Sequence, residues 1–384
     1  MHYILVICPQ PRDPPPGEHG AFRVRHGGPD LDVVGADPAA LLEELCSTPA
    51  DGVVGTKDRS ALLAALVAER RGLAGPSPAA ILRCQHKPTS REIQRRVAPD
   101  STPASVLLEG EPPFPPPWFV KPVVGRLSQE ARRIDNSAEL AAVAEAPGYR
   151  DAYAALAELA GLAPSATRGF LIEALAQGEE VTLEGYVHEG VVTTIGVTDS
   201  VNYAGTSSFE QFEYPSSLPA ERLAELDDLA RLLVHAHGLD HCFFNVEFLV
   251  PEAGPAQIVE INPRIASQFA PLVEAVQGRS TYDALFALAC GENPRWDGGV
   301  PRGVAISYVM RVFEDALVDA VPEHEAGLEV LVRPGALLSE QGTNDTESYR
   351  LAILTEWGGT REDAVRRCRL RAESLIFRLG DPRR

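Results

Sequence analysis

The chain has 384 residues, 45% hydrophobic and 23% charged, which is the composition of a folded globular protein with more than one packed unit. A net charge of −19 excludes general binding to nucleic acid or to anionic membranes, yet leaves room for a nucleotide pocket built locally from Lys, Arg and backbone N–H groups. Six cysteines (Cys8, Cys46, Cys84, Cys242, Cys290, Cys368) lie scattered without a CxxC pair, so reduced thiols and a cytoplasmic protein are expected, not disulfides or a zinc site. No apolar stretch reaches membrane-span length, and the run Tyr3–Cys8 is too short, and lacks the basic flank, for a signal peptide.

In chain order, the first 80 or so residues alternate strand and helix signals. Tyr3–Cys8 and Leu31–Val34 read as strands, Pro38–Cys46 as a helix, Gly52–Thr56 as a strand and Arg59–Arg71 as a helix rich in Ala and Leu. Such alternation predicts a small parallel α/β layer. Ser77–Gln85 and Ser90–Val97 read as further helices, and Glu111–Pro117, with five prolines in seven residues, as a stiff connector between subdomains. Trp118–Val124 reads as a strand, Gly125–Ser128 as a turn and Ala131–Ile134 as a returning strand. Helical patterns at Ala138–Glu145 and Ala152–Ala160 precede strands at Phe170–Ala174 and Glu179–His188. Val191–Val197 pairs with the latter through the turn Glu189–Gly190. The polar, aromatic-dotted stretch Asp199–Leu218 reads as a long functional loop, and Pro219–His237 as an amphipathic helix closed by Gly238. Beyond it, Ser280–Cys290 reads as a helix, Gly303–Phe313, Leu328–Arg333 and Tyr349–Thr355 as strands, and Arg361–Arg378 as a last helix. There is no internal repeat.

The most informative stretch runs from Phe244 to Gln268. Two apolar strands joined by a Pro/Gly turn carry Glu247, Glu260 and Asn262, and the last two, spaced by two, share a strand face. If the turn folds Glu247 beside them, two carboxylates and an amide oxygen converge, a hard-oxygen donor set suited to Mg²⁺. Arg264 adds a forked donor for phosphate or carboxylate. Lys121, delivered by a strand and followed by the Gly125–Ser128 turn, fits phosphate neutralisation, although no GxxxxGK[ST] loop is present. Lys87 stands isolated at a helix start. Glu173 ends one strand and Glu180 begins the next, a hinge that could hold adenine by backbone groups and ribose by a carboxylate. His235, His237 and His241 do not share a helix face and are not expected to bind zinc.

Taken in order, Lys87, Lys121 with Gly125–Ser128, Glu173 to Glu180, Glu247, and Glu260-Ile-Asn262-Pro-Arg264 resemble the ATP-grasp superfamily, and within it the branch of the L-amino acid ligases and biotin carboxylases. That resemblance implies an α/β (α+β) ATP-grasp fold with an N-terminal α/β domain over 1–85 and linker helices over 86–117. An ATP-binding lid would follow over 118–188, and a catalytic subdomain with a small C-terminal lobe over 189–384. It further implies that Lys87, Lys121, Gly125, Arg126 and Ser128 contact the nucleotide phosphates. Glu173, Ala174 and Leu175 would line the adenine pocket, Glu180 would bind ribose, and Glu247, Glu260 and Asn262 would hold two Mg²⁺ ions, with Mn²⁺ as a substitute. Arg264, Lys121 and Arg311 are the catalytic candidates. Glu210, Phe212, Tyr214, Arg264, Ser267 and Gln268 are the candidate substrate contacts.

The implied reaction is ATP-dependent joining of a small-molecule carboxylate, such as an amino acid, to an amine through an acyl phosphate, in a homodimer that binds neither nucleic acid nor membrane. Two alternatives stand beside it: a biotin-carboxylase-like carboxylation and a non-catalytic ATP-binding regulator. Ser267-Gln268-Phe269-Ala270-Pro271 replaces the Glu-His-Pro-Val-Thr-Glu segment of biotin carboxylases, which weighs against the first.

Overall fold

The computed structural model describes residues 1–29, 31, 37–125, 131–145, 153–206, 208–297, 301–341 and 348–381. Its first unit contains β1 (His2–Ile7), β2 (Gly17–His19), β3 (Phe22–Gly27), α1 (Pro38–Ser47), β4 (Gly52–Val54), α2 (Asp58–Arg71) and α3 (Pro78–Gln85). The sheet order is β2-β3-β1-β4, with β1 parallel to both β3 and β4. Apolar Ile4–Ile7 and Val53–Val54 give β1 and β4 two buried faces, as a parallel layer requires. The strand expected at Leu31–Val34 falls largely outside the described residues. The strand that pairs with β1 lies earlier, in β3, where the alternation Phe22-Arg23-Val24-Arg25 half-buries it. Between β4 and α2, Gly55 is required by close approach: a Cβ there would stand 2.1 Å from the Ser60 carbonyl carbon.

After α4 (Lys87–Val97), a four-stranded antiparallel sheet forms from β5 (Ser105–Leu107), β6 (Trp118–Pro122), β7 (Arg132–Ile134) and β8 (Phe170–Ala174), in the order β5-β8-β6-β7. Helices α5 (Ser137–Glu145) and α6 (Tyr153–Leu159) lie between its strands in the chain. Trp118, Val120, Ile134, Phe170 and Ile172 alternate onto one face and pack with Leu140 and Val143 of α5. Because β5 pairs with β8, residues assigned from sequence to the linker belong to this four-stranded sheet.

The largest sheet comprises β9 (Glu179–His188), β10 (Val191–Asn202), β11 (Phe209–Tyr214), β12 (Cys242–Val250), β13 (Gln257–Asn262), β14 (Val304–Val312), β16 (Leu328–Val330) and β17 (Tyr349–Gly358). Its order is β13-β12-β9-β10-β11-β14-β17-β16. Helix α7 (Ala220–His237) connects β11 to β12, and α8 (Ala270–Gln277) and α9 (Thr281–Ala289) follow β13. The short β15 (Leu317–Ala320) pairs with β18 (Arg378–Gly380), and α10 (Arg361–Ser374) packs on β17 and β14. Two sequence readings change here. Glu179–His188, assigned to the lid, is central in the large sheet, and Asp199–Leu218, read as a loop, is mostly strand: β10 runs on to Asn202 and pairs with β11. Polar content hid that hairpin: Asp199, Ser200 and Asn202 on β10 and Glu210, Gln211 and Glu213 on β11 give it the composition of a loop.

One face of the large sheet is core. Val181, Leu183, Val187, Phe244, Val246, Phe248 and Ile258 pack against Leu226, Ala230, Leu233 and Val234 of α7. Each such side chain contributes roughly 1.5–3 kcal/mol of burial free energy. The other face carries the polar residues described next. His237, one of the three histidines weighed for zinc, is fully buried in α7. Its ring bonds Ser90 Oγ at 3.0 Å and Leu233 O at 2.8 Å, a structural role.

Candidate active site

Period-two alternation on β9, β12 and β13 puts Glu180, Thr182 and Glu184 on one face together with Asn245, Glu247, Glu260 and Asn262. Register then makes rows across the strands: Glu184–Asn245–Asn262, and next to it Thr182–Glu247–Glu260. A β-bulge after Glu247 keeps Glu260 and Asn262 on this face while Ile258 stays in the core. Asn262 Nδ2 donates to Glu247 Oε1 at 3.0 Å and to Asn245 Oδ1 at 3.1 Å, leaving its amide oxygen for other partners. The three residues expected to form a donor set are thus brought together.

Burial, followed by the charges of Glu260 and Glu180, pushes Glu247 up to about 8, and burial alone pushes Glu180 up to about 7. Neighbouring carboxylates that resist ionising together favour a cation among them. Among the described residues no three His, Cys, Asp or Glu side chains converge on one point. Two carboxylates and one amide leave coordination places open, which suits Mg²⁺ with water and phosphate oxygens as further ligands.

Across from these carboxylates stand cations. Lys121 and Glu173 project from the lid-sheet face opposite the Trp118–Ile172 core, and Lys121 Nζ lies 2.8 Å from Glu173 Oε2. It also donates to Val259 O, next to Glu260, at 3.4 Å. Burial lowers Lys121 to about 8, against the opposing pull of Glu173. Burial would raise Glu173, yet Lys121 and Arg91 outweigh it and hold this carboxyl near 2. Lys87, the first residue of α4, donates from Nζ to Gly125 O at 3.1 Å, and its backbone N–H donates to Val123 O at 2.9 Å. It therefore braces the segment from Val123 to Gly125. Arg126 and Ser128 lie outside the described residues. Ala174 and Leu175 continue β8 beside Glu173, with their N–H groups on Ala104 O and Pro117 O.

Arg264 reaches the N-terminal unit: its Nε donates to Asp58 Oδ1 at 2.6 Å, at the start of α2. Ser267 Oγ accepts from Gln10 Nε2 at 2.9 Å, and Gln268 is exposed. Three of the proposed substrate contacts are on β11, not on a loop. Phe212 is buried with its ring 5.2 Å from that of Phe269, and Tyr214 is buried with its hydroxyl on Ile195 O and Gln277, so both are packing residues. Glu210 is half-buried on the same strand. Arg311, on β14, donates to Phe209 O at 3.0 Å and Ser348 Oγ at 2.9 Å, which ties strands together and gives it a structural role.

Reading the sequence did not single out Arg91, Asp58, Gln10, Asn245 or Glu184. Arg91 follows Lys87 by four, so one face of α4 presents both, a signal available in print. Glu184 follows Glu180 by four on β9; it is buried and pushed up to about 8 by burial, its Oε1 accepts from Ala266 N–H at 2.6 Å, and its Oε2 has no partner.

Cations on the small sheet facing carboxylates on the large one form the arrangement that the sequence resemblance implied. Residues 114–271 match the ATP-grasp domain family. Over that stretch the chain is similar to ATP-grasp domains. Carnosine synthase 1 of Gallus gallus is 30% identical over 254 residues, 62% of this chain. The match spans about a quarter (27%) of that longer protein. Among solved structures, L-amino acid ligase from Bacillus licheniformis superimposes with a TM-score of 0.75 at 17% identity, covering 99% of both chains. The biotin carboxylase domain of Hydrogenobacter thermophilus 2-oxoglutarate carboxylase, solved with MgADP and bicarbonate, gives 0.67 at 18% identity over 93% of this chain and 81% of that one. Both likenesses show the ATP-grasp fold. No helix among the described residues is long and apolar enough to cross a membrane.

Proposed function

We propose that this protein is an ATP-dependent carboxylate–amine ligase of the ATP-grasp kind that joins small molecules, one of them an amino acid, with release of ADP and phosphate. The observation that carries the reading is the facing of two charge sets: Glu247, Glu260 and Asn262 on the large sheet, and Lys121 on the lid sheet beside Val259. Lys87 and Lys121 would neutralise phosphate oxygens, with Gly125, Arg126 and Ser128 closing over them. Ala174 and Leu175 would meet adenine through their backbone, and Glu180 the ribose hydroxyls. Glu247, Glu260 and Asn262 would hold Mg²⁺, or Mn²⁺ in its place; two such ions, when bound, draw charge from the β- and γ-phosphates.

In this reading a substrate carboxylate oxygen attacks the γ-phosphorus and ADP leaves. The amine nitrogen then attacks the acyl carbon, inorganic phosphate departs, and the amine's proton is lost to solvent. Arg264, already aimed between Asp58 and the acidic rows, would grip the carboxylate or the transferring phosphoryl group. Enclosure between the two sheets keeps water from the acyl phosphate. Support for the amino-acid class comes from the names of the carnosine synthase and L-amino acid ligase relatives. The absence at Ser267–Pro271 of the segment typical of biotin carboxylases argues against bicarbonate. We place the reaction in a homodimer in the cytoplasm.

The test is ADP release from MgATP across paired amino acids and small acids, with Glu260→Gln as control and mass spectrometry of the product. One pair driving turnover, a silent control and an amide of the summed mass would establish the ligase. ATP turnover that responds to bicarbonate and free biotin, and to no pair, would replace it with a carboxylase.

A further inference from the structure

Arg91 has none of the roles assigned above, yet it is 2% exposed and each of its three guanidinium nitrogens is engaged within the site's frame. Its Nε donates to Glu173 Oε1 at 2.6 Å, and its Nη2 to Glu173 Oε2 at 3.1 Å and to Val259 O at 2.8 Å. The remaining nitrogen, Nη1, bonds the Gln94 side chain one turn on. A single residue of α4 therefore ties the lid strand β8 to the metal-side strand β13.

Glu173 and the Val259 carbonyl are each shared by two cations, Arg91 and Lys121. The two cations differ in what they can do. Lys121 is a point charge on a flexible stem, whereas Arg91 is a rigid fork seated on both carboxylate oxygens. On the ATP reading, Lys121 must leave Glu173 to meet the phosphates. A buried carboxylate losing its only partner resists that move, because its charge would be left uncompensated away from water. With Arg91 in place Glu173 keeps a two-pronged partner, and Lys121 is exchangeable.

We propose that Arg91 is a positioning residue of the nucleotide site: it holds Glu173 and Val259 O so that Lys121 is free to trade its carboxylate for the nucleotide phosphates. This rests on the ATP reading. It goes beyond that reading in assigning α4 a part in phosphate affinity and in making Glu173 a resting partner of the phosphate lysine.

The experiment is calorimetric titration of MgATP and of adenosine into the full chain, as wild type, Arg91→Lys, Glu173→Gln and the double variant, with thermal melts to establish folding. Arg91→Lys should bind MgATP about tenfold more weakly and adenosine unchanged. Glu173→Gln should bind MgATP at least as tightly as wild type, since no buried anion then holds Lys121. The double variant should return to within about twofold of Glu173→Gln. A structural role alone would weaken adenosine and MgATP equally and would not be rescued by Glu173→Gln; either result overturns the proposal. If Arg91→Lys does not fold, Glu173→Gln alone decides, and a tenfold loss of MgATP affinity there overturns it. A wild-type protein that binds no MgATP removes the ATP reading and this inference with it.

Discussion

The two walls of the cleft are built unequally. The large sheet supplies carboxylates from three adjacent strands whose reverse face is buried against α7 within an extensive apolar core. The lid supplies Lys121 from a four-stranded sheet whose core is Trp118, Val120, Ile134, Leu140, Val143, Phe170 and Ile172. On the proposed function, donors that must keep a fixed geometry for a small, demanding cation would sit on the wall with the larger core. The lysine that must adapt to a flexible triphosphate would sit on the wall with little core, the one that costs less to move.

The largest expected effects come from disabling either wall chemically. Glu260→Gln should lower turnover by about a thousandfold, and the lost rate should not return at high ATP, because the defect lies in charge stabilisation. Lys121→Met should cost about a hundredfold and appear mainly in KM for ATP. Turnover assays at rising Mg²⁺ and ATP separate the two. Equal sensitivity of both variants to ATP concentration would show that the walls do not divide the work.

Smaller effects should come from cavities behind each wall. Phe248→Ala in the large-sheet core should lower the main thermal transition, at a cost of about 3–5 kcal/mol. Ile172→Ala in the lid, at about 2–5 kcal/mol, should spare that transition and abolish nucleotide binding first, since the small core has little stability in reserve. Calorimetry with nucleotide titration distinguishes them, and a single shared transition for both variants would mean that the lid has no independence.

How much of this was legible in print differs between the same two walls. Glu247, Glu260 and Asn262 were readable because alternation on apolar strands fixes which residues share a face, and a short turn leaves little doubt about which strands are neighbours. Lys121 was readable as a strand-borne lysine before a turn. Arg91 shares a helix face with Lys87 in print, but its role was not readable, because its partner Glu173 lies 82 residues away and nothing local reports that pairing. The hairpin β10–β11 was misread for a related reason: Phe212 and Tyr214 are spaced by two as on a strand, but the Ser, Asn, Gly and Thr residues that precede β11 mimic a loop, and only pairing with β10 and β14 explains them. Phe212 and Tyr214 were then taken for ligand contacts when they are core. Arg311 erred similarly, since an arginine on a strand gives no sign of whether its donors face a ligand or, as here, Phe209 O and Ser348.

The gentlest probe of the comparison is pH. Glu247 and Glu184 are each raised from an ordinary 4.5 to about 8, chiefly by burial, while Glu173 is held near 2 by Lys121 and Arg91. A carboxyl with a raised folded value binds its proton more tightly folded than unfolded, so its stabilising contribution is full below 4.5 and is lost as pH rises toward 8. Glu173 works the other way, contributing above 4.5 and losing that contribution as pH falls toward 2. Without metal, then, the melting temperature should fall between pH 5 and pH 8 because of the large-sheet wall, and between pH 4.5 and pH 2 because of the lid. Saturating Mg²⁺ should flatten the upper slope by favouring ionised Glu247, yet only in part, because Glu184 is no member of the donor set and retains its own share. Glu184→Gln should remove its own share of that remainder, leaving the share of Glu180, raised to about 7 by burial, and the Mg²⁺-dependent part intact. A metal-free melting temperature that is level from pH 5 to pH 8 would mean that the large-sheet carboxylates ionise freely there, and the contrast between a desolvated, metal-seeking wall and a pre-paired lid would be lost.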